Sequence, residues 1–339
     1  MSDVDEKIIE MIQNNATANE ISQVVGISNE QLFNRLHMLK VKECNLYRKY
    51  YYDGEIGYQL CKGTNDKKDI CLLTRPIDNE IKMVFISDLH LSNTKDRVDL
   101  LNQVYEFCSK EGIHVIINGG DLIDGFVGNI NSKKFKTADA QIRYVLNYHP
   151  YDKNIINFVC LGNHDYSVFE NSGQNIETIL SAQRHDIVSL GYGFGKLKIK
   201  NDEIIVRHKI PTMDFEKVNN YLIISGHYHQ PKNICNEKIT KINIPPLSEI
   251  VKDVLPGFIK ATIRFNDGVI NYGIFEQYVF LDKMYKVNES NYEIHSKNKT
   301  ESIFIENEED RMPYKEESKI NVLKTYSKQI EKFNKRYNR

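Results

Sequence analysis

Five short apolar stretches each run straight into residues that ligate metals. Met83 to Ile86 leads into Ser87-Asp88-Leu89-His90, and Val115 to Ile117 into Gly120-Asp121-Leu122-Ile123-Asp124. Ile155 to Leu161 delivers Gly162-Asn163-His164-Asp165, Ile204 to Val206 delivers His208, and Leu222 to Ile224 delivers Gly226-His227-Tyr228-His229. Half of the ten histidines stand at these five ends. Imidazole and carboxylate donors together suit manganese, iron or zinc better than calcium, which prefers an all-oxygen shell. Each pattern alone is common; their order, and the glycines that allow tight turns beside them, point to a shared metal centre.

Such a centre needs strands to carry it. From Ile81 onward the short apolar strands alternate with helical patterns such as Val98, Leu101, Tyr105 and Cys108, which stops at Gly112. That is α/β patterning, and in open α/β sheets ligands gather outside the carboxyl ends of strands, so five ends can converge on one crevice. After Pro245-Pro246, residues 258–280 form strand pairs around Asn266-Asp267-Gly268 without an intervening helix, which predicts a more antiparallel second half.

Taken in order, D-x-H, G-D-x-x-D, G-N-H-D, a later His and G-H-x-H resemble the calcineurin-like metallophosphoesterases over about residues 81–280. The resemblance implies an α/β/β/α sandwich, two packed mixed sheets flanked by helices. It also implies two divalent ions, manganese first, with iron or zinc as alternatives. Asp88, His90 and His229 would hold one ion, Asn163, His208 and His227 the other, and Asp121 would bridge them. Hydrolysing a phosphate ester requires charge neutralisation on the nonbridging oxygens and a hydroxide at neutral pH, and two ions about 3.5–4 Å apart supply both. The implied nucleophile is a hydroxide bridging the metals. By the same resemblance His164 would stabilise the transition state or protonate the leaving oxygen, and Asp165 would orient its imidazole. One departure is that His208 is followed by Lys209 where many family members have Gly. The preceding strand, Glu203 to Arg207, still places His208 at the sheet edge.

Residues 125–154 separate two of the ligand-bearing strands and contain Lys133, Lys134, Lys136, Arg143, Tyr148 and His149. They read either as a basic lip for an extended phosphodiester, with His149 approaching the substrate, or as an ordinary crossing helix, Ala138 to Leu146, with solvated lysines. His114 reads as a surface residue at a strand start.

Residues 1–61 form a separate pattern of three short helices and a hairpin. Thr17 with Glu20, and Ser28 with Gln31, make two capping boxes around a tight turn at Val25-Gly26-Ile27-Ser28. Leu46 to Tyr52 and Ile56 to Leu60 flank Asp53-Gly54, a two-residue hairpin signal. Three helices and a two-stranded wing resemble the winged helix-turn-helix domain. From Phe33 to Lys49, Arg35, Lys40, Lys42, Arg48 and Lys49 face one acid, Glu43, so residues 28–52 offer a candidate face for DNA. The alternative is a protein-binding winged helix with a solvated basic face. A polar linker, 62–79, precedes a catalytic domain at 80–285. Residues 286–339 read as a charged tail ending in a basic amphipathic helix on which Leu323, Tyr326, Ile330, Phe333 and Tyr337 recur, a second candidate for contact with DNA.

Composition bounds the function. The 339 residues are 41% hydrophobic and 27% charged, an ordinary globular balance, and the net charge of −1 leaves any attraction to nucleic acid to local patches. Without a membrane-length apolar run or a signal-like start, the expected location is the cytoplasm. The six cysteines form no C-x-x-C pair and read as buried free thiols. The resulting expectation is a dimetal phosphodiesterase, nuclease-like on DNA. The alternatives are a cyclic-nucleotide or other small-molecule phosphodiesterase or phosphatase with a protein-binding winged helix, and a DNA-binding regulator whose phosphoesterase fold is non-catalytic.

Overall fold

The computed structural model describes residues 2–38, 44–62, 70–74, 79–208, 221–235 and 239–294. Lys40, Lys42, Lys209 and the basic helix expected within 318–339 lie outside them.

The N-terminal unit has the expected elements: α1 (Asp3–Gln13), α2 (Ala18–Val25), α3 (Asn29–Met38) and a hairpin of β1 (Cys44–Tyr51) and β2 (Ile56–Lys62). Both capping boxes form. The Thr17 and Ser28 hydroxyls accept from the Glu20 and Gln31 amides, and those side chains accept from the cap amides at 2.7 and 2.9 Å. Ile8, Ile12, Ile21, Leu32, Leu36 and Tyr58 close a small core. The hairpin loop has three residues, not two, because the Tyr51 amide bonds the Glu55 carbonyl and the Gly54 amide bonds the Tyr51 carbonyl. Gly54 then takes φ +86°, the left-handed position that such a loop gives to glycine. A Cβ there would lie 2.0 Å from the Asn154 carbonyl oxygen, so the tip is pressed onto the catalytic domain.

The expected linker at 62–79 contains a strand, β3 (Ile70–Leu73), lying parallel to β1 on one side and to β8 (Phe194–Ile199) on the other. Its four apolar residues are hidden among polar neighbours in the sequence, yet Leu72 is fully buried. The wing is therefore continuous with the catalytic domain. With β9 (Asp202–Arg207), β10 (Tyr221–Ser225), β11 (Lys232–Cys235) and β12 (Ile239–Asn243) it forms an 8-stranded mixed sheet in the order β11-β12-β10-β9-β8-β3-β1-β2.

The second sheet has 7 strands, β4 (Glu80–Ile86), β5 (Val115–Asn118), β6 (Ile156–Leu161), β7 (Ile187–Tyr192), β13 (Gly257–Asn266), β14 (Val269–Phe280) and β15 (Met284–Glu293), ordered β15-β14-β13-β4-β5-β6-β7. The β4 to β7 half is parallel and the β13 to β15 half antiparallel, as the loss of intervening helices predicts. β15 places a strand inside the expected tail. Its side chains are mostly exposed at a sheet edge, which is why its composition reads as tail.

The two sheets face each other over Met83, Phe85, Ile117, Phe158, Ile204 and Ile224. The outer face of the 7-stranded sheet is covered by α4 (Val98–Glu111), α5 (Ala138–Tyr148), α6 (Asn163–Ser172) and α7 (Ile176–Gln183), through Leu101, Val104, Ile142, Val168 and Leu180. Cys108 and Cys160 are buried as expected; Cys71 and Cys235 are exposed, on the outward face of a strand and on an edge strand.

Candidate metal centre

The centre lies where β4, β5, β6, β9 and β10 end. Strand backbone cannot aim successive side chains inward, so the chain bends sharply after each strand. Asp88, His90, Asp121, His227 and His229 all take positive φ, between 44° and 75°. Such angles are uncommon for residues other than glycine and persist only where surrounding structure enforces them. Close approach does the enforcing. A Cβ on Gly120 would lie 2.4 Å from His208 Nδ1, and one on Gly162 would lie 2.2 Å from Asp121 Oδ1.

The donors form three overlapping groups, each with its ligand atoms within 4.8 Å: Asp88, His90 and His229; His90, Asp121 and His164; Asp121, His208 and His227. His229 Nε2 is 3.0 Å from Asp88 Oδ1, and His208 Nε2 is 2.9 Å from Asp121 Oδ2. His208 Nδ1 is 2.7 Å from the Gly119 carbonyl; donation there leaves Nε2 as the donor atom facing the centre. The His227 amide donates to both Asp88 oxygens, and the Ser248 hydroxyl to the Asp88 carbonyl. Asn163 opens α6, next to Gly162.

Electrostatics favour cations here. Burial would raise the Asp121 carboxyl, but the charges of His208, His90 and His164 hold it far below the usual carboxylate range. Asp88 is likewise lowered against burial, by His229 and His208. Burial would lower His208, but the Asp121 and Asp88 carboxylates carry it up to about 9. Three kinds of donor atom thus converge, and buried His90 Nε2 and Asn163 Oδ1 have no hydrogen-bond partner. This donor set fits divalent ions bound by nitrogen and oxygen.

The expectation for Asp165 is corrected. Its carboxylate does not hold the His164 ring; it accepts the amides of Leu122, Ile123 and Gly162 at 3.2, 2.9 and 2.7 Å, tying the loop after β5 to the start of α6. His164 is oriented by the Asp124 carbonyl, 2.6 Å from Nδ1. Asp124, present in the G-D-x-x-D motif but given no role from sequence, also has Oδ1 3.6 Å from His90 Nδ1. It accepts from Asn93 at 2.9 Å and from Lys133 at 2.8 Å.

That last contact disposes of Lys133 as part of a basic lip or a solvated helix face, because its ammonium is buried on Asp124 and the Val127 carbonyl. Lys134 is paired with Asp96 and the Tyr144 hydroxyl. His149 does not approach the centre. It is buried beside Asn157 and the Tyr105 ring, and burial, followed by the Arg184 charge, lowers it to about 4. His114, half buried, has Nδ1 3.0 Å from the Asn154 carbonyl. In the N-terminal unit Arg35 binds Asp5, Lys49 binds Asn15, and Arg48 donates to the Ser181 carbonyl while lying over the Phe33 ring.

A sequence match to the family described as calcineurin-like phosphoesterase covers residues 81–253, just over half of the chain. No curated protein matches. Among solved structures, an archaeal phosphodiesterase shares 15% identity over 59% of this chain and 100% of its own, with a TM-score of 0.39. Yfce, a phosphoesterase from E. coli, shares 16% over 56% and 96%, with a TM-score of 0.35. Vacuolar protein sorting 29 from Cryptosporidium parvum shares 14% over 64% and 100%, with a TM-score of 0.38. Among the described residues no helix is long and apolar enough to cross a membrane. With its ordered motifs gathered at one end of two mixed sheets, the chain belongs to the calcineurin-like phosphoesterases, a family that binds divalent metals.

Proposed function

We propose that the protein is a hydrolase of phosphodiesters, with Asp88, His90 and His229 holding one divalent ion, Asn163, His208 and His227 a second, and Asp121 between them. The observation that carries this reading is the sharing of His90 and Asp121 between neighbouring donor groups, which makes one continuous donor surface. A bound pair, for which manganese is the first candidate, supplies charge neutralisation and an activated water. The chain does the rest. The backbone amide of His164 fixes Asp121 Oδ1 at 2.9 Å, and its ring, anchored through Nδ1 on Asp124, presents Nε2 4.0 Å from Asp121 Oδ2. From there the ring faces the phosphate and the departing alkoxide, to which it would donate in its protonated form, a form that burial disfavours in the free protein.

We read the N-terminal unit as a winged helix whose wing is built into the catalytic sheet. Arg35, Arg48 and Lys49 are engaged within the protein, so this reading does not route a duplex across residues 28–52; DNA is tested as a substrate of the centre itself. The test uses purified protein with manganese or with chelator against bis(4-nitrophenyl) phosphate, 4-nitrophenyl phosphate and end-labelled duplex. Diester cleavage that needs metal, and that falls about 100-fold or more in His164→Ala while the bound metal content stays the same, is the expected result. Cleavage of the duplex establishes the nuclease form; preference for the monoester overturns the diester reading. Two bound metals with no turnover on any substrate replaces it with a non-catalytic regulator.

A further inference from the structure

The outer face of the 8-stranded sheet carries a row of polar side chains beside the centre. Register sets Arg207 of β9 next to Ser225 of β10, Ser225 next to Asn243 of β12, and Asn243 next to Lys232 of β11. One step back the row reads Ile205, Ile223, Lys241, Ile234. Their strand neighbours Val206, Ile224 and Ile242 point into the core between the sheets, so both rows face away from it. β9, β10 and β12 run parallel, and the first row therefore stands at their carboxyl ends, immediately before His208 and the Gly226-His227-Tyr228-His229 turn.

One cation on this face stands apart. Lys241 is only 7% exposed, and among the described residues its ammonium has no hydrogen bond or ion pair; it lies 5.0 Å from the centre of the Tyr228 ring. Elsewhere the buried Lys133 and the half-buried Arg184 are matched by Asp124 and Asp186. Burial of Lys241, and then the like charges of Arg207 and Lys232, hold it below the usual range of an ammonium. An interior ammonium among like charges is unfavourable until an anion joins it. Tyr228 is 45% exposed, and its ring is 5.5 Å from that of His227, which makes the cluster continuous with the metal centre. An exposed phenol above a cation also offers a face on which a base can stack.

We propose that Lys241 and Lys232, with Tyr228 at the mouth, form a subsite for a second phosphate of the substrate, carried by a nucleoside whose base lies on Tyr228. This rests on the phosphodiesterase reading and adds to it a substrate class, nucleotide diesters bearing a phosphate beyond the scissile one. The test compares the full-length, manganese-loaded protein with Lys241→Met and Lys232→Gln on bis(4-nitrophenyl) phosphate, the dinucleotide TpT, and its phosphorylated forms pTpT and TpTp. Wild type is expected to favour one phosphorylated dinucleotide over TpT by about tenfold in kcat/KM, the size of a charge-assisted contact. Lys241→Met is expected to erase that preference through KM while its rate on bis(4-nitrophenyl) phosphate stays within about twofold of wild type. Equal use of TpT and both phosphorylated forms by wild type overturns the subsite, as does a preference that survives Lys241→Met. If wild type cleaves none of the four, the phosphodiesterase reading fails, and calorimetric binding of pTpT and TpTp then decides the subsite. Binding that weakens in Lys241→Met supports it, and binding that is absent or unchanged overturns it.

Discussion

Individual side chains at the centre divide into those that face the cavity and those that fix the loops behind them. Asp165 belongs to the second group, with three backbone amides converging on one carboxylate. Asp165→Asn leaves one acceptor oxygen for three donors. It is expected to lower unfolding free energy by about 1–3 kcal/mol, read from the urea midpoint. His149 makes a separate prediction. Its folded value of about 4 lies below the ordinary 6.5, so between those values the unfolded chain binds a proton that the folded chain refuses. Stability from this residue is present above about pH 6.5 and is lost as pH falls toward 4, by up to about 3 kcal/mol. The pH dependence of the denaturation midpoint over that window should flatten in His149→Phe. Both residues show where sequence reading stops. The positions of Asp88, His90, Asp121, His208, His227 and His229 follow from strand ends and motif order. That Asp165 serves the backbone, while a main-chain carbonyl of Asp124 holds His164, depends on a tertiary approach with no residue-type signature.

Elements explain how the loops stay put. Residues 125–137 look unstructured in sequence, yet Gln141 of α5 accepts from the Ser92 hydroxyl and donates to the carbonyls of Gly125 and Phe135, while Lys133 pins the segment to Asp124. Lys133→Met leaves the Asp124 carboxylate buried without its cation and is expected to cost about 3–5 kcal/mol. Chemical denaturation checks the loss, and weaker manganese binding by calorimetry should accompany it, because Asp124 supports His90. Elements with a periodic face or a strong cap, α2, α3, α4 and α5, were legible in the sequence. So were the strand pairs around Asn266-Asp267-Gly268, where β13 and β14 are joined. β3 and β15 were not: each is an edge-like or very short strand whose polar surroundings outweigh its few apolar residues. The N-terminal turn of α6 was also missed, since Gly162-Asn163-His164-Asp165 announces ligands more strongly than it announces a helix.

At the scale of the molecule, β3 removes the boundary that composition suggests. The wing hydrogen-bonds through β3 to β8, its tip presses on Asn154, and Phe33 of α3 lies 5.6 Å from the His185 ring of the catalytic unit. Differential scanning calorimetry should therefore show one cooperative transition, with calorimetric and van't Hoff enthalpies in agreement, rather than separate melting of two units. A shared sheet has a further consequence. Excising the catalytic unit at residue 80 would strip β8 of β3 and bare a row of amides and carbonyls, a template on which another chain can pair. The N-terminal residues thus act as the cover of that border in this chain.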